Sequence, residues 1–568
     1  MSKQCIDYKK TTRASIIMIL VMALITAVLQ GNYWVSIAGG LAARQPQVMI
    51  LFLVGFVSLT AIYCEATGRI RFRRKSEEKA GTISKTLNLT TERGVLWTIW
   101  LGMLMRVGYV LFFDINTLQN DGGTFTGFGT TQINNGHIGY IEYIYKFFHL
   151  PTMDPYEYFG YYHPPLHHII EALWLTVQRF LGVAEELAFE NLQIPTLIYS
   201  GLCMVVMLQI LKESDINEKY VIPGMMLFAF HPRMMVLAGS VNNDILALLL
   251  LLCTIWRTLV WIREKNIKNI VMIALSLGFG MISKLNTAIC AFSIAVIFLI
   301  VLVNAFKDGN LLVRKSVITQ FVIFTVVCVP IGLSYIVRNM VLFGEKPGIP
   351  SPAIIPNESV MYTGPYSVWS IIGIPALSDW NAAFPFHPIS AEASHNTWVI
   401  LFQTGLFAEA YPAGMNDYLL SVAQIAYVAS IITAVATTIV FLWVYLKKLV
   451  KETRKIRYSL AYPTDEERAK GVISTEEALN HMERSVFLWI TYVFMLLSFC
   501  LYVFKYPYTC SSDFRYMTAC LVFTSIGFVD VQTVCGKGAR KVVKFIVNTA
   551  MAACLIGSLL VYMFWDIA

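Results

Sequence analysis

The chain alternates long apolar runs with short polar stretches. A helix needs about 20 consecutive apolar residues to cross a bilayer. Read on that basis, the pattern predicts spans over 15–33, 47–66, 95–113, 193–211, 220–238, 242–262, 269–283, 286–305, 317–337, 417–446, 486–504, 515–532 and 545–566. The expected fold is therefore an all-α polytopic membrane protein with about 13 transmembrane helices. Segment 165–182 is also apolar enough to cross, but the charges on either side leave it no crossing to make. It is expected as a juxtamembrane or re-entrant helix. No heptads, fixed-period repeat or similarity between the two halves is visible.

Charge gives these spans a direction. Lys3, Lys9, Lys10 and Arg13 precede the first run, which has no small-residue cleavage pattern behind it and is expected to be retained. The loop 68–94 carries Arg69, Arg71, Arg73, Arg74, Lys75, Lys79, Lys85 and Arg93 against Glu77, Glu78 and Glu92. Further basic loops lie at 257–268, 307–315 and 447–470 and after Cys535. Lys and Arg are enriched in cytoplasmic loops, so these regions and the N-terminus are placed inside and the C-terminus outside. The span 95–113 then runs outward and delivers the polar stretch 112–168 to the extracytoplasmic side.

Composition agrees with that picture. The 568 residues are 56% hydrophobic and 14% charged, with a mean hydropathy of +0.60, far from the balance of a soluble enzyme. The net charge of +8 sits in short loops between apolar runs, which excludes a nucleic-acid footprint. The 11 cysteines are scattered without a CxxC pair and give neither a disulfide framework nor a zinc site.

The polar stretch is where chemistry is expected. It is long for a loop and rich in aromatics, which suits a folded element at a membrane boundary. Asp121 stands in an Asn-Asp-Gly-Gly turn; it is a candidate general base for an incoming hydroxyl, and equally a plain turn residue. Asp114 ends a span and has the same two readings. His137 and Glu142 follow in GHIGYIEY, and His163 in YYHPPLHH, where the prolines account for a helix start but not for three histidines. Asp244 opens an apolar span as a helix cap or a site residue. Lys284 interrupts apolar sequence, where a lysine is costly and a role or a snorkelling route is expected. Arg338, Lys505 and Arg515 end spans on the outer side. Taken singly each is a headgroup anchor; together with Asp121 they form a set suited to a phosphate leaving group. Asp and His are suitable ligand types for a divalent cation, but no HExxH or other regular spacing supports a metal site.

In order along the chain, these features resemble the GT-C membrane glycosyltransferases, in particular the protein O-mannosyltransferase and aminoarabinose-transferase branch. The matching elements are Asp121 after an outward span, Tyr-His-Pro-Pro-Leu at 162–166, GSVNNDILALL at 239–249, LGFGMISKLNTA at 277–288, RNMVLFGEKP at 338–347, and the pair Arg515 and Tyr516. The resemblance covers 95–350 well and the rest loosely. It divides the chain into two additional N-terminal helices with a basic loop (1–94), a GT-C-like catalytic core with the first extracytoplasmic loop at 114–164 (95–350), and a loop with the C-terminal helices (351–568).

What the resemblance implies is a transferase that moves a monosaccharide from a polyprenyl-phosphate donor to an acceptor hydroxyl on a protein, lipid or glycan, with inversion. Asp121 would deprotonate the acceptor, and cations such as Lys284, Arg338 and Arg515 would balance the departing phosphate; a bacterial plasma membrane is taken as the working setting. One departure stands out: the family's loop often pairs two acidic residues or a His and an Asp, whereas Asp121 follows Asn120, leaving a second acidic role to Asp114 or Glu142. The rival readings are a secondary transporter, which usually has two related halves, and a polysaccharide polymerase or ligase, for which a large late loop such as 338–417 is the feature to inspect.

Overall fold

The structure is a computed structural model. It describes the chain apart from residues 1–5, 31–48, 59–81, 345–367, 369–395, 409–414, 462–474 and 565–568 and the positions 52, 118–120, 156, 308–309, 537 and 539. The described residues form helices joined by turns, with no β-strand among them. Among the described residues ten helices are long and apolar enough to cross a membrane, and a bent pair, Glu218–Ala229 with Pro232–Gly239, brings the number to 11. The chain is thus an integral membrane protein of the expected all-α class.

The expected count of about 13 is not reached, for two reasons. Most of 47–66 lies outside the described residues. The segment 269–283 forms a helix of only 15 residues, Ile267–Met281, about 22 Å long at 1.5 Å per residue and short of a hydrocarbon core of about 30 Å. It is packed between the helices Asp244–Arg263 and Leu311–Phe343.

The bent pair shows how the sequence tolerates a broken helix. Pro232 has no N–H to continue a helix, and the axis turns by 52° there. Carbonyls freed at such a break must be satisfied inside the protein. The wholly buried Arg106 donates to the Ala229 carbonyl at 2.7 Å and to that of Gly102 at 2.7 Å. On the helix Gln193–Glu213, Gln193, Thr196 and Ser200 share one face by their spacing. They donate to the carbonyls of Gly239 at 3.1 Å, Ala238 at 2.8 Å and Met234 at 2.8 Å.

The polar stretch folds as a cap with its own apolar core, including Ile115, Ile138, Tyr140, Ile141, Tyr161, Leu175 and Phe189. Its two helices are Gly136–Phe147 and Leu166–Phe180. The second falls where a non-crossing helix was expected, and it is amphipathic in an inverted sense. His167, His168, Glu171 and Gln178 are buried, while Leu173, Val177 and Phe180 are exposed. An outward apolar stripe of this kind suits a helix lying in the membrane interface. Three glycines close the cap. Gly123, Gly136 and Gly160 all have positive φ, and a Cβ on Gly136 would lie 2.6 Å from the Gly123 Cα, while one on Gly160 would lie 2.7 Å from the Gly136 carbonyl carbon. Only residues without a Cβ can pass one another so closely.

Candidate active site

Asp121 lies at this glycine crossing, with φ of 50°, a left-handed conformation that a non-glycine residue adopts at a cost and that clusters at functional sites. Its carboxylate forms an ion pair with Arg515, 394 positions away in sequence. Arg515 is held in turn by Asp513, whose Oδ1 accepts from the Arg515 N–H at 2.6 Å and from the Arg233 guanidinium at 2.8 Å. Arg233 and Asp513 are both buried, so this inner pair fixes the backbone that presents Arg515.

A second ion pair joins Lys284 to Asp244. Asp244 begins the helix Asp244–Arg263, and its N–H is bound by Asn242 Oδ1 at 3.0 Å. Lys284 follows the short helix in extended conformation. Asn243 donates to the Ser283 carbonyl at 2.7 Å, which ties the two turns together. The Tyr516 ring serves both pairs: Lys284 Nζ lies 5.0 Å and the Arg515 guanidinium carbon 5.5 Å from its centroid.

His137 completes the group. It is buried, and the charges acting on it are those of Asp121, Asp244, Lys284 and Arg515. Burial is the main cause that depresses its pKa to about 4; the carboxylates oppose that shift and the cations reinforce it. His163 stacks on it at 4.8 Å, and burial and its cationic neighbours also hold it below the usual imidazole range. His137 Nδ1 lies 2.9 Å from His168 Nε2. Burial, with Asp121 next in weight, pushes the Tyr162 phenol upward. The Leu166 N–H donates to the Ile282 carbonyl at 3.0 Å, so the His-Pro-Pro-Leu stretch is tied to the turn carrying Lys284.

Of the residues singled out in the sequence, Asp121, His137, His163, Asp244, Lys284 and Arg515 come together. The other four have their own settings. Asp114 Oδ1 binds the Asn116 N–H at 2.8 Å and so organises the turn after its span. Glu142 accepts from Asn134 at 2.6 Å and pairs with Lys146 at 2.7 Å inside the cap. Arg338 donates to the Pro151 carbonyl and lies over Phe343 at 5.6 Å, tying a span to the cap. Lys505 closes its own helix with its ammonium 5.2 Å from the Tyr506 ring centroid. Sequence reasoning did not single out the supports Arg233, Asp513 and Asn243, and it left His168 among the three histidines of YYHPPLHH that the prolines do not account for. Among the described residues, no group of three His, Cys, Asp or Glu side chains is arranged to hold a metal ion.

Residues 163–333 match the family model described as dolichyl-phosphate-mannose-protein mannosyltransferase. The matched block contains His163, Asp244 and Lys284 and ends short of Arg338, while Asp121 and Arg515 lie outside it. No curated protein matches the chain. Solved structures similar to it include the archaeal oligosaccharyltransferase AglB from Archaeoglobus fulgidus, in complex with an inhibitory peptide and a dolichol-phosphate. That match has 10% identity and a TM-score of 0.42 and covers 82% of this chain and 56% of that one, so the chain spans about half the length of AglB. ArnT from Cupriavidus metallidurans, bound to undecaprenyl phosphate, is similar at 10% identity and a TM-score of 0.39, with 82% of this chain and 75% of that one covered. The family-model match agrees with the motif order: over 163–333 this chain is similar to the GT-C membrane glycosyltransferases.

Proposed function

We propose that the protein is an inverting, polyprenyl-phosphate-sugar-dependent glycosyltransferase whose site faces the extracytoplasmic side of a plasma membrane. The observation that carries this reading is the convergence of two cation–carboxylate pairs, Arg515 with Asp121 and Lys284 with Asp244, around one aromatic ring beneath a membrane-boundary cap. The matched family model adds that such a block is found in mannosyltransferases using a dolichyl-phosphate donor.

In this reading the acceptor oxygen attacks the anomeric carbon from the face opposite the phosphate. The bond from that carbon to the phosphate oxygen breaks, and the hydroxyl proton passes to Asp121. General-base catalysis of this kind contributes about 10²- to 10⁴-fold. Negative charge grows on the departing lipid phosphate, where Arg515 and Lys284 supply charge-assisted hydrogen bonds. Both cations are already paired, so an arriving phosphate competes for them and loosens Asp121 and Asp244. Resting pairs keep the cations oriented at a boundary where an isolated charge is costly. The acceptor is a hydroxyl of a protein, lipid or glycan.

The test uses purified protein in detergent with a panel of radiolabelled polyprenyl-phosphate sugars and follows release of polyprenyl phosphate. Release by the wild type and its loss in Asp121→Asn, with donor binding retained, supports the reading. Release unaffected by the substitution takes the base role away from Asp121. A folded protein that neither binds nor turns over any donor is a transporter candidate instead.

A further inference from the structure

The helix Leu521–Val534 follows directly on the segment that carries Arg515 and Tyr516. Its 14 residues put Val534 about 21 Å further on, at the end of the molecule away from Asp121. Three element ends meet there. Val534 ends this helix, Arg540 begins the span Arg540–Phe564, and Tyr220 ends the short helix Glu218–Tyr220, which packs against Leu521–Val534. Between them lies an open cavity of about 540 Å³, with Tyr220, Gln532, Thr533, Gly536 and Arg540 in its wall. None of the residues lining it is acidic.

The wall is built, not loose. Gln532 is 5% exposed, and its amide donates to Asn548 Oδ1 at 2.6 Å. Lys544 reaches back to two lining residues: its ammonium lies 5.5 Å from the Tyr220 ring centroid and donates to the Gln532 carbonyl at 3.5 Å. Arg540 and Lys544 are four residues apart and share one helix face. Among the described residues, neither pairs with a carboxylate. The same helix turns apolar side chains outward, with Val542, Phe545 and Ile546 exposed. On a membrane-spanning helix such residues meet acyl chains. Cations at the end of a span are ordinary on one side of a membrane. Here they border a cavity without an acidic wall and stand beside a lipid-facing surface, which matches a phosphorylated head group whose chains lie in the bilayer.

We propose that this cavity binds the phosphate of an anionic phospholipid from the leaflet opposite the candidate active site. Arg540 and Lys544 supply charge-assisted hydrogen bonds to the phosphate oxygens, and the acyl chains run along Val542, Phe545 and Ile546. The site is separate from the place of the donor phosphate beside Arg515 and does not depend on the reaction proposed above.

Native mass spectrometry of the full chain in detergent tests this, with dioleoyl phosphatidylglycerol or dioleoyl phosphatidylcholine added in equal amounts. The wild type is expected to retain phosphatidylglycerol selectively; equal retention of the two lipids overturns the site. One basic residue near a charged lipid surface is worth about fivefold, so Arg540→Gln/Lys544→Gln is expected to weaken phosphatidylglycerol binding at least about tenfold. Unchanged binding in that variant also overturns the site. Gly536→Trp fills the cavity and leaves both cations in place. A Cβ there meets nothing closer than the Gln532 and Thr533 carbonyl oxygens at 3.8 Å, so the fold accommodates it. Binding is expected to weaken again; undiminished binding means that charge alone attracts the lipid and that the cavity is no site. An equal loss in Arg515→Gln puts the lipid at the candidate active site instead and sinks the proposal. Inorganic phosphate at millimolar concentration decides the source of the ligand. It is expected to leave phosphatidylglycerol bound, and displacement would mark a site for free phosphate and overturn the lipid assignment. The double variant and Gly536→Trp perturb different parts of the wall, so if one fails to fold the other still decides.

Discussion

The helix Asp244–Arg263 has ion pairs at both ends, and the two ends are built differently. At its first residue, Asp244 pairs with Lys284; at its last, Arg263 pairs with Glu213. The ends lie about 30 Å apart at 1.5 Å per residue. Around Arg263 the pairs join neighbouring helix ends: Lys265 to Glu483 at 2.9 Å, and Asp215 to Arg484 and His481 at 2.8 Å each. These contacts staple spans whose termini are adjacent anyway. Around Asp244 two ion pairs converge on one tyrosine ring and border the buried His137 imidazole. The same chemistry therefore serves cohesion at one end and, on the proposed function, the departing phosphate at the other. The distinction rests on how the partners are supported, not on how many there are.

The largest expected effects lie at the Asp244 end. On the proposed mechanism Asp121→Asn removes the acceptor of the hydroxyl proton, and it is expected to lower polyprenyl-phosphate release about 10²- to 10⁴-fold with little change in thermal stability. Lys284→Met and Arg515→Gln are expected to lower it about 10²- to 10³-fold, the scale seen when one donor to developing negative charge is lost. An equal loss from Lys265→Met at the opposite end would erase the distinction.

The cap gives a prediction of intermediate size that depends on pH. Burial holds His137 near a pKa of about 4 and His167 near about 3, and holds His163 and His168 well below the ordinary value of 6.5. Below pH 6.5 the unfolded chain binds protons that the folded cap refuses, so each imidazole lowers stability as pH falls, by about 1.4 kcal/mol per pH unit. Glu171 acts in the opposite sense. Burial raises its pKa well above 4.5, so the folded state holds its proton where the unfolded chain has lost it, and its contribution declines as pH rises through that range. Four groups against one leave a net loss on acidification between about pH 6.5 and 4.5. Hydrogen exchange over 136–180 should therefore quicken as pH is lowered through that window once intrinsic rates are corrected, while the helices around Arg263 change little. Uniform acceleration across both regions would mean that the cap is not a separate pH-sensitive unit.

How much of this was legible in the sequence follows the same division. Apolar periodicity and length identified most of the spans, because bilayer thickness constrains each segment separately. The apolar run at 165–182 does form a helix, Leu166–Phe180, and the six residues that converge had been picked out from their unusual places beside apolar runs. The break at Pro232 and the short helix Ile267–Met281 were not recognised, since average hydropathy does not register a bend or a missing turn. Nor were Arg233 and Asp513, whose importance arises from partners brought close only by folding. Glu142 and Lys505 show the converse: a charged residue beside the right motif that the fold engages with a local neighbour.

The smallest expected effect is the sharpest check on the comparison. Burial works against ionisation of Asp215, but the hydrogen bond from His481 and the nearby Arg484 outweigh it and hold the carboxyl below its ordinary value of 3.8. A carboxylate with a depressed folded-state pKa stabilises the fold above its unfolded value and loses that contribution as pH falls through the folded one. Asp215 is 42% exposed, so solvent screens the pair heavily, and its contribution is expected to be at most about 1 kcal/mol and to shrink with added salt. Asp215→Asn should therefore lower the melting temperature slightly at low salt, less at high salt, and leave polyprenyl-phosphate release at the wild-type rate. A loss of release on the scale of Lys284→Met, with the protein still folded, would mean that the two ends are coupled through the helix between them and that the Arg263 network is part of the working site.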